Sequence, residues 1–239
     1  MIQDAIFITG VGQRIGLHLA RTFLARGMNV VGTYRSERET LKELAEAGAH
    51  LFPCDFYHED QVAGLARSVA EQCGSLRAMI HNASDWLPEN SELPAAEIMR
   101  RMMQVHVNAP YLLNLSLTPL LQQTSAEHAD IIHVGDYVST RGSKKHIAYA
   151  ASKAAQDNLT LSFSASLAPR IKVNSIAPAL VIFNDDDDEQ YREKARRKSL
   201  MQREAGLDEF QRTVDYLLDS VYVTGRVLHM DGGRHLKVA

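Results

Sequence analysis

Short, continuous apolar runs alternate along the chain with longer segments in which apolar residues recur at helical spacing. The short runs are apolar throughout, which is typical of strands that are covered on both faces. The pattern predicts seven strands, at residues 5–9, 29–33, 50–52, 78–81, 130–134, 172–176 and 227–230. It predicts helices between them, near residues 14–26, 37–47, 59–73, 94–122, 147–168 and 187–219.

This order of strands and helices predicts a parallel sheet, because parallel neighbours are joined by crossover connections that usually contain a helix. Seven strands with helices on both faces define an α/β fold of the Rossmann-like, doubly wound type. The 239 residues are expected to form one domain, residues 1–239. The substrate site would then be built from strand ends and from a loop region at residues 180–205.

Composition and charge narrow the class of protein. An apolar fraction of 45% argues against disorder, and 26 basic against 29 acidic residues leave no electrostatic footprint for nucleic acid. No apolar stretch is long enough to span a membrane, and the first residues lack the basic start of a signal peptide. Two cysteines suit a reducing compartment, so a cytoplasmic location is expected. The histidines and cysteines show no metal-ligand spacing, so no metal site is predicted.

A glycine-rich turn follows the first predicted strand and precedes the first predicted helix, with Gly10, Gly12 and Gly16 in it. Such a turn lets backbone N–H groups and the helix N-terminus approach a pyrophosphate, although glycine-rich turns also simply reverse a chain. Arg14 lies inside this loop. Its planar guanidinium suits a phosphate or an adjacent ligand, and the alternative is a surface arginine on the first helical turn.

The residues after the second strand favour NADP(H) over NAD(H). An NAD site wants an acid there for the ribose hydroxyl, whereas this chain has Arg35 and Ser36 before its first acid, Glu37. A 2′-phosphate needs a positive fork and small donors, which this pair offers. Glu37 fits better as an early helix acid. Asp55, after the third strand, is expected to accept from the adenine amine or else to cap a turn.

A candidate acid–base group follows the fifth strand. Tyr149 and Lys153 share one helix face, and a nearby ammonium is expected to lower the pKa of the phenol. Asp136 ends the fifth strand and either relays a proton or forms a turn. Asn108 lies inside a predicted helix, where its side chain has a role in the site or bends the helix.

Together these residues resemble the short-chain dehydrogenase/reductase family along essentially the whole chain. The matching pieces are Gly10 to Gly16, Asp55, Asn82-Ala83, Asn108, Tyr149 with Lys153, and Asn174 to Pro178, closing at Asp231-Gly232-Gly233. The resemblance implies that Tyr149 donates a proton. It also implies that Lys153 holds the nicotinamide ribose and that Asn108 supports a relay water.

The departures from the common pattern resemble the pteridine reductase branch of that family. Arg14 replaces the usual middle glycine, Asp136 the usual serine, and Ser84 the usual glycine. The resemblance implies NADPH-dependent reduction of a 7,8-dihydropterin, with weaker reduction of dihydrofolate. The implied cofactor residues are Gly10, Gly12, Gln13, Arg14, Ile15, Tyr34, Arg35, Ser36, Asp55, Phe56, Asn82, Ala83, Ser84 and Pro178. The implied substrate residues are Arg14, Ser84, Trp86, Asp136 and Tyr149, with Trp86 stacking on a flat heterocycle.

Three features keep alternatives open. The acidic run at 184–189 with the bases after it is either a solvated helix start or a flap over a ligand. The apolar stripes of the helices at 94–122 and 147–168 are core, or pair subunits in a homodimer or homotetramer as they do in the family. A carbonyl reductase of the same fold, acting on a 3-oxoacyl or sugar substrate, and a non-enzymatic NADPH sensor are the alternative functions.

Overall fold

A computed structural model describes residues 1–237. Seven parallel strands form one sheet in the order β3-β2-β1-β4-β5-β6-β7. The strands are β1 (Ala5–Ile8), β2 (Val30–Tyr34), β3 (His50–Pro53), β4 (Leu76–His81), β5 (Ala129–Val134), β6 (Ile171–Pro178) and β7 (Val227–Met230). This arrangement confirms the predicted fold class. The strand order reverses between β1 and β4, the place where ligands bind in open α/β sheets.

Helices cover both faces of the sheet. They are α1 (Arg14–Ala25), α2 (Glu39–Glu46), α3 (Glu59–Gln72), α4 (Ala95–Met103), α5 (Ala109–Gln122), α6 (Ile147–Leu167), α7 (Glu189–Arg196) and α8 (Leu207–Asp219). Short 3₁₀ turns lie at Tyr137–Thr140 and Arg234–Leu236. Among residues 1–237, no helix has the length and apolarity needed to cross a membrane.

Alternate residues of a strand pack into the two layers of the hydrophobic core, one on each face of the sheet. Phe7 of β1 packs with α3, α5 and α6, whereas Ile6 and Ile8 pack with α1, α2 and α8. Successive side chains of a strand point to opposite faces, so continuous apolar runs bury both faces at once. This explains why the strand pattern lacks polar alternation.

The predicted helix at 94–122 contains a π-helical segment, Gln104–Asn108, between α4 and α5. Pro110 follows this segment and has no N–H with which to bond the carbonyl of His106, so the regular α ladder is interrupted there. The Asn108 Nδ2 donates to the Gln104 Oε1 at 3.0 Å. The helix-bend interpretation of Asn108 therefore matches the structure.

The prediction of one helix at 187–219 was wrong, because the chain leaves the helix after α7 and starts α8 at Leu207. Gln202 (φ 51°) and Gly206 (φ 84°) adopt left-handed or extended positive-φ backbone that a helix cannot contain. The Ala205 and Gly206 amides instead bond to carbonyls just after β6, at 3.0 and 2.9 Å. This break brings the segment back against the carboxyl end of the sheet.

A buried polar chain ties α5 and α6 to the sheet. The His81 Nε2 lies 2.7 Å from the Asn114 Oδ1, and the Asn114 amide reaches the His133 Nε2 at 3.4 Å. The His133 Nδ1 then meets the Thr160 Oγ1 at 2.8 Å. All four side chains are fully or almost fully buried. Burial lowers the pKa of His81 to about 4 and that of His133 well below its ordinary value, so both rings are neutral at pH 7.

Candidate active site

A cavity of about 420 Å³ opens at the carboxyl edge of the sheet, above β1, β4 and β5. Its wall contains every residue predicted to bind the cofactor, which are Gly10, Gly12, Gln13, Arg14, Ile15, Tyr34, Arg35, Ser36, Asp55, Phe56, Asn82, Ala83, Ser84 and Pro178. Asp136, Tyr149 and Lys153 share the same wall. The structure therefore brings the predicted phosphate loop and the predicted acid–base group into one space.

The glycine loop is built so that only glycine fits at its two ends. Gly10 has a φ of 75°, and a Cβ at Gly16 would lie 2.1 Å from the Gly10 carbonyl oxygen. The Asn82 Nδ2 donates to the carbonyls of Thr9 and Gly10, at 3.0 Å each. β4 thus fixes the shape of the loop after β1.

The N-terminus of α1 faces this loop with free donors. Gln13 precedes the helix without capping it through its side chain, and the first turn contains no acid. The first N–H groups of a helix need an acceptor, and the helix dipole favours an anion there. The residues present therefore fit the pyrophosphate of a dinucleotide.

Arg14 adopts a left-handed backbone (φ 54°), which a non-glycine residue adopts only at a cost. Its exposed guanidinium donates to the Asn184 Oδ1 at 2.7 Å and to the Ile182 carbonyl at 3.2 Å. Arg14 therefore connects the phosphate loop to the segment after β6. This arrangement departs from the simple surface arginine considered from the sequence.

The predicted 2′-phosphate residue, Arg35, forms an ion pair with Asp85 at 2.9 Å. Asp85 also accepts from the Tyr57 hydroxyl at 2.6 Å. The hydrogen bond that Arg35 donates to Asp85 raises the pKa of Arg35, with burial opposing it. The Arg35 guanidinium is therefore held at the cavity wall, with the Asp85 carboxylate beside it as the opposite charge.

Two acidic residues near this end have different outcomes, since Glu37 departs from its expectation and Asp55 does not. Glu37 precedes α2 and accepts from the Tyr34 hydroxyl, which raises the pKa of that phenol, so reading it as an early helix acid was wrong. The Asp55 Oδ1 accepts from the backbone N–H of Tyr57 at 3.0 Å. Asp55 caps a turn and also lines the cavity, so both of its interpretations remain compatible with the structure.

Tyr149 and Asp136 form the centre of the acid–base group. The Tyr149 hydroxyl donates to the Asp136 Oδ2 at 2.8 Å, and the Val138 amide donates to the Asp136 Oδ1 at 2.8 Å. The turn after β5 thus orients one carboxylate oxygen toward the phenol. These contacts are compatible with both interpretations of Asp136. The contact with Val138 forms a turn, and the contact with Tyr149 is the one that a proton relay would use.

The prediction that Lys153 lowers the pKa of Tyr149 was wrong. Burial, the charge of Asp136 and its hydrogen bond raise the pKa of Tyr149 well above its ordinary value. The Lys153 ammonium lies 5.8 Å from the centre of the tyrosine ring and donates to the Val134 carbonyl at 2.7 Å. Burial lowers the pKa of Lys153 itself to about 8, against the opposing effect of Asp136 and Asp157.

His106 is a fully buried residue behind the cavity wall that the sequence analysis did not single out. Its Nε2 lies 2.8 Å from the Ser84 Oγ, its Nδ1 lies 2.8 Å from the Ser152 Oγ, and its ring packs edge-on against Tyr149. Because Ser152 donates to the Tyr149 carbonyl, Ser152 accepts from Nδ1–H, which assigns the proton to Nδ1. Nε2 then accepts from the Ser84 hydroxyl, and Ser84 itself lines the cavity.

Two predicted residues lie outside the cavity wall. Asn108 is exposed and contacts Gln104 rather than Tyr149 or Lys153. Trp86 is 62% exposed and stacks on His146, with ring centres 4.1 Å apart and an angle of 20° between planes. Their roles in catalysis and substrate binding stay predictions.

The acidic run begins a helix, as the simpler interpretation expected. The Asp188 carboxylate caps α7 by accepting from the Tyr191 amide at 2.7 Å. The segment before it is nevertheless attached to the phosphate loop through Arg14. Residues 180–182 of the predicted substrate loop line the cavity.

Sequence reasoning missed three further wall residues, namely Thr33, Arg38 and Asp85. The Thr33 Oγ1 accepts from the Gly10 amide at 3.0 Å, and the Arg38 stem lies against Gly12. Arg38 follows Arg35-Ser36 closely in the sequence. The presence of a second base soon after β2 could therefore have identified Arg38 as a candidate cavity residue. Asp85 gave no comparable signal, because only the fold brings it to Arg35.

Comparison with known proteins places the chain in a family. A family model described as enoyl-(acyl carrier protein) reductase matches residues 10–235. Proteins called dihydromonapterin reductase from Klebsiella pneumoniae subsp. pneumoniae and Escherichia coli (strain K12) are each 50% identical over 232 residues, covering 97% of both chains. The chain therefore belongs to the short-chain dehydrogenase/reductase family.

Solved structures agree with this assignment. Alternative dihydrofolate reductase 1 from Brucella canis, complexed with NADP, is 26% identical with a TM-score of 0.86, covering 99% of this chain and 95% of that one. The RhlG/NADP active-site complex from Pseudomonas aeruginosa is 25% identical with a TM-score of 0.87, covering 98% and 97%. The fold is thus shared with proteins whose structures were solved with NADP.

Proposed function

We propose that this chain reduces a 7,8-dihydropterin such as dihydromonapterin to the tetrahydropterin with NADPH, with weaker reduction of dihydrofolate. The observation that carries the proposal is the 2.8 Å bond from the Tyr149 hydroxyl to the Asp136 carboxylate inside the dinucleotide cavity. Relatives called dihydromonapterin reductase at 50% identity support the substrate class. The NADP complexes of similar fold support the cofactor.

The cofactor residues divide the cavity into two ends. The glycine loop and the N-terminus of α1 take the pyrophosphate, while Arg35 and Ser36 take the 2′-phosphate. Asn82, Ala83 and Lys153 lie on the side where the nicotinamide ribose belongs. When bound, NADPH supplies the hydride that the dihydropterin accepts.

Residues of this chain donate the proton that the substrate takes up, and they return a proton from water to the donor. The raised pKa of Tyr149 keeps its hydroxyl protonated at neutral pH, so it is ready to donate to the imine nitrogen of the pterin. Asp136 is partly exposed and already in contact with that hydroxyl, so it can return a proton from water. Ser84 and Arg14 would bind polar edges of the pterin ring. Trp86 would give up its stacking contact with His146 and stack on the face of the pterin instead.

The decisive experiment follows NADPH oxidation with dihydromonapterin, dihydrobiopterin, dihydrofolate and an acetoacetyl thioester as separate substrates. We expect turnover of the pterins and none of the thioester. Turnover of the thioester alone would replace the proposal with a carbonyl reductase, as the description of the matching family model would suggest. Tight NADPH binding without any turnover would indicate a sensor.

Assembly and location are proposed on separate observations. The chain is proposed to act as a homodimer or homotetramer, since Tyr111 and Leu115 of α5 and Leu161 of α6 are large apolar side chains that are about half exposed. A cytoplasmic location is proposed because Cys54 and Cys73 are buried free thiols, as a reducing compartment allows. Residues 1–239 are proposed to act as one domain.

A further inference from the structure

Four basic side chains gather beside the substrate end of the cavity, and we call them the basic cluster. They are Lys145, Lys194, Lys198 and Arg234. The Arg234 guanidinium lies 4.7 Å from the ring centre of Tyr137, the residue directly after Asp136. Lys145 directly precedes His146, on which Trp86 stacks. The basic cluster therefore borders the space between the acid–base group and the proposed stacking residue.

The basic cluster concentrates positive charge without neutralising it. Within residues 1–237 no carboxylate forms an ion pair with any of its four members, although Arg196 at the end of α7 and Arg197 directly after it are both paired. Burial, followed by the charges of Arg234, Lys194 and Lys145, lowers the pKa of Lys198. Like charges held close together destabilise a surface unless an anion joins them.

A second cavity, of about 510 Å³, lies next to the first and shares Ala179 and Leu180 with it. Lys198 and Arg234 line it. Two of its acids form ion pairs with arginines, Glu204 with Arg196 at 2.9 Å and Glu209 with Arg212 at 2.6 Å, and the third, Asp231, is hydrogen-bonded to His235 at 2.7 Å, so four cations in the wall, Lys198, Arg203, Arg212 and Arg234, face three acids. The charge left over in this wall is positive.

We propose that this second cavity binds the carboxylate-bearing side chain of a dihydropterin substrate, namely the aminobenzoyl-glutamate tail of a dihydrofolate. The inference rests on the proposed function. With the pterin ring at Tyr149 and Asp136, the aromatic spacer crosses the apolar wall at Ala179 and Leu180. The glutamate carboxylates then meet Lys198 and Arg234, whose charges no acid neutralises.

The test compares substrates that share a ring but differ in the tail. Dihydropteroate lacks the glutamate, whereas dihydrofolate and its diglutamate carry two and three carboxylates. We expect Lys198→Gln combined with Arg234→Met to raise the KM for dihydrofolate about three- to tenfold, and more for the diglutamate, while kcat stays unchanged. The KM for dihydropteroate should not change. Higher salt should raise the KM of the tailed substrates only.

Arg67→Gln is the matched control, because it removes one exposed cation on α3, away from both cavities. It should leave every KM unchanged. Equilibrium binding of oxidised folate and pteroate, followed by protein fluorescence, gives a readout that needs no turnover. Equal effects of the double variant on tailed and untailed ligands, or no effect on either, would overturn the tail site.

The two proposals fail in different ways. Turnover of dihydropteroate without any dependence on Lys198 or Arg234 would leave the proposed function intact and remove the tail site. Absence of turnover with every pterin would remove the proposed function. In that case, loss of folate binding but not pteroate binding in the double variant would still support the site, and unchanged folate binding would reject it.

Discussion

At the scale of single residues, the feature that most affects the site is Asp136, a carboxylate at a position where the family usually has a serine. A serine hydroxyl next to Tyr149 could donate a hydrogen bond, but Asp136 can only accept one when ionised. Its charge adds to burial in keeping the phenol protonated. That favours proton donation to a basic imine nitrogen over stabilisation of a carbonyl oxygen, which agrees with the proposed pterin chemistry.

Tyr149→Phe removes the proposed proton donor and keeps the ring that packs against His106. We expect pterin reduction to fall about 10²- to 10⁴-fold, the usual contribution of a general acid. NADPH affinity, measured by fluorescence titration, should stay the same. Tyr216→Phe, an exposed tyrosine on α8, is the control and should be fully active. Full activity of the Tyr149 variant would disprove the assignment.

Arg35→Ala tests the choice of cofactor. Loss of the guanidinium removes a charge-assisted contact to the 2′-phosphate, so NADPH affinity should fall about tenfold or more. NADH affinity should change little, because NADH has no phosphate there. Arg21→Ala on α1, whose guanidinium pairs with Glu43, is the control. Equal losses for both cofactors would refute the assigned role, and Arg38 would then be the next base to test.

At the scale of elements, the sequence predicts what depends on local pattern and misses what depends on the fold. All seven strands follow from the short continuous apolar runs, and most helices follow from apolar residues at helical spacing. The break between α7 and α8 does not, because the Ala205 amide turns away from helical bonding to meet a carbonyl just after β6. In the same way, Asp85 reaches Arg35 only because β2 and β4 end at the same edge of the sheet. His106 enters the site only through the π-helical segment.

The buried histidines make the packing of α5 and α6 against the sheet depend on pH. His81 has a pKa of about 4 in the folded chain and near 6.5 when unfolded, so the unfolded state takes up its proton first as pH falls. The contribution to stability is present above pH 6.5 and is lost between pH 6.5 and 4. Protonated His133 would also place Nε2–H against the Asn114 amide donor. Acid should therefore loosen α5 and α6 from the sheet.

His81→Gln isolates one of these protons and keeps a donor for Asn114. Between pH 7 and pH 5 the wild type should lose more unfolding free energy than the variant, by about 2 kcal/mol. Urea unfolding at both pH values measures this difference. His58→Gln, at an exposed histidine, should lose as much as the wild type. A variant with the same acid loss as the wild type would show that His81 does not titrate in this way.

At the scale of the whole molecule, the sheet carries both cavities at one edge and the proposed association surface on another side. The carboxyl edge holds both cavities, whereas the outer sides of α5 and α6 present Tyr111, Leu115 and Leu161. Tyr111 rests on Phe163 with ring centres 5.9 Å apart, so the two helices form one continuous apolar face. Residues 1–237 leave these three side chains about half exposed, which is why association is expected.

Leu115→Glu tests that association, because Leu115 is 52% exposed and lies on this face. Burying an unpaired carboxylate in a subunit interface costs several kcal/mol, so the variant should shift toward monomer in sedimentation velocity runs. Tyr191→Glu changes a similarly exposed side chain on α7 and should leave the mass unchanged. The Leu115 variant should keep its melting cooperativity, since the same side chain faces solvent in a monomer. A wild type that sediments as a monomer would reject the proposed assembly, and an oligomer unaffected by Leu115→Glu would place its interface elsewhere.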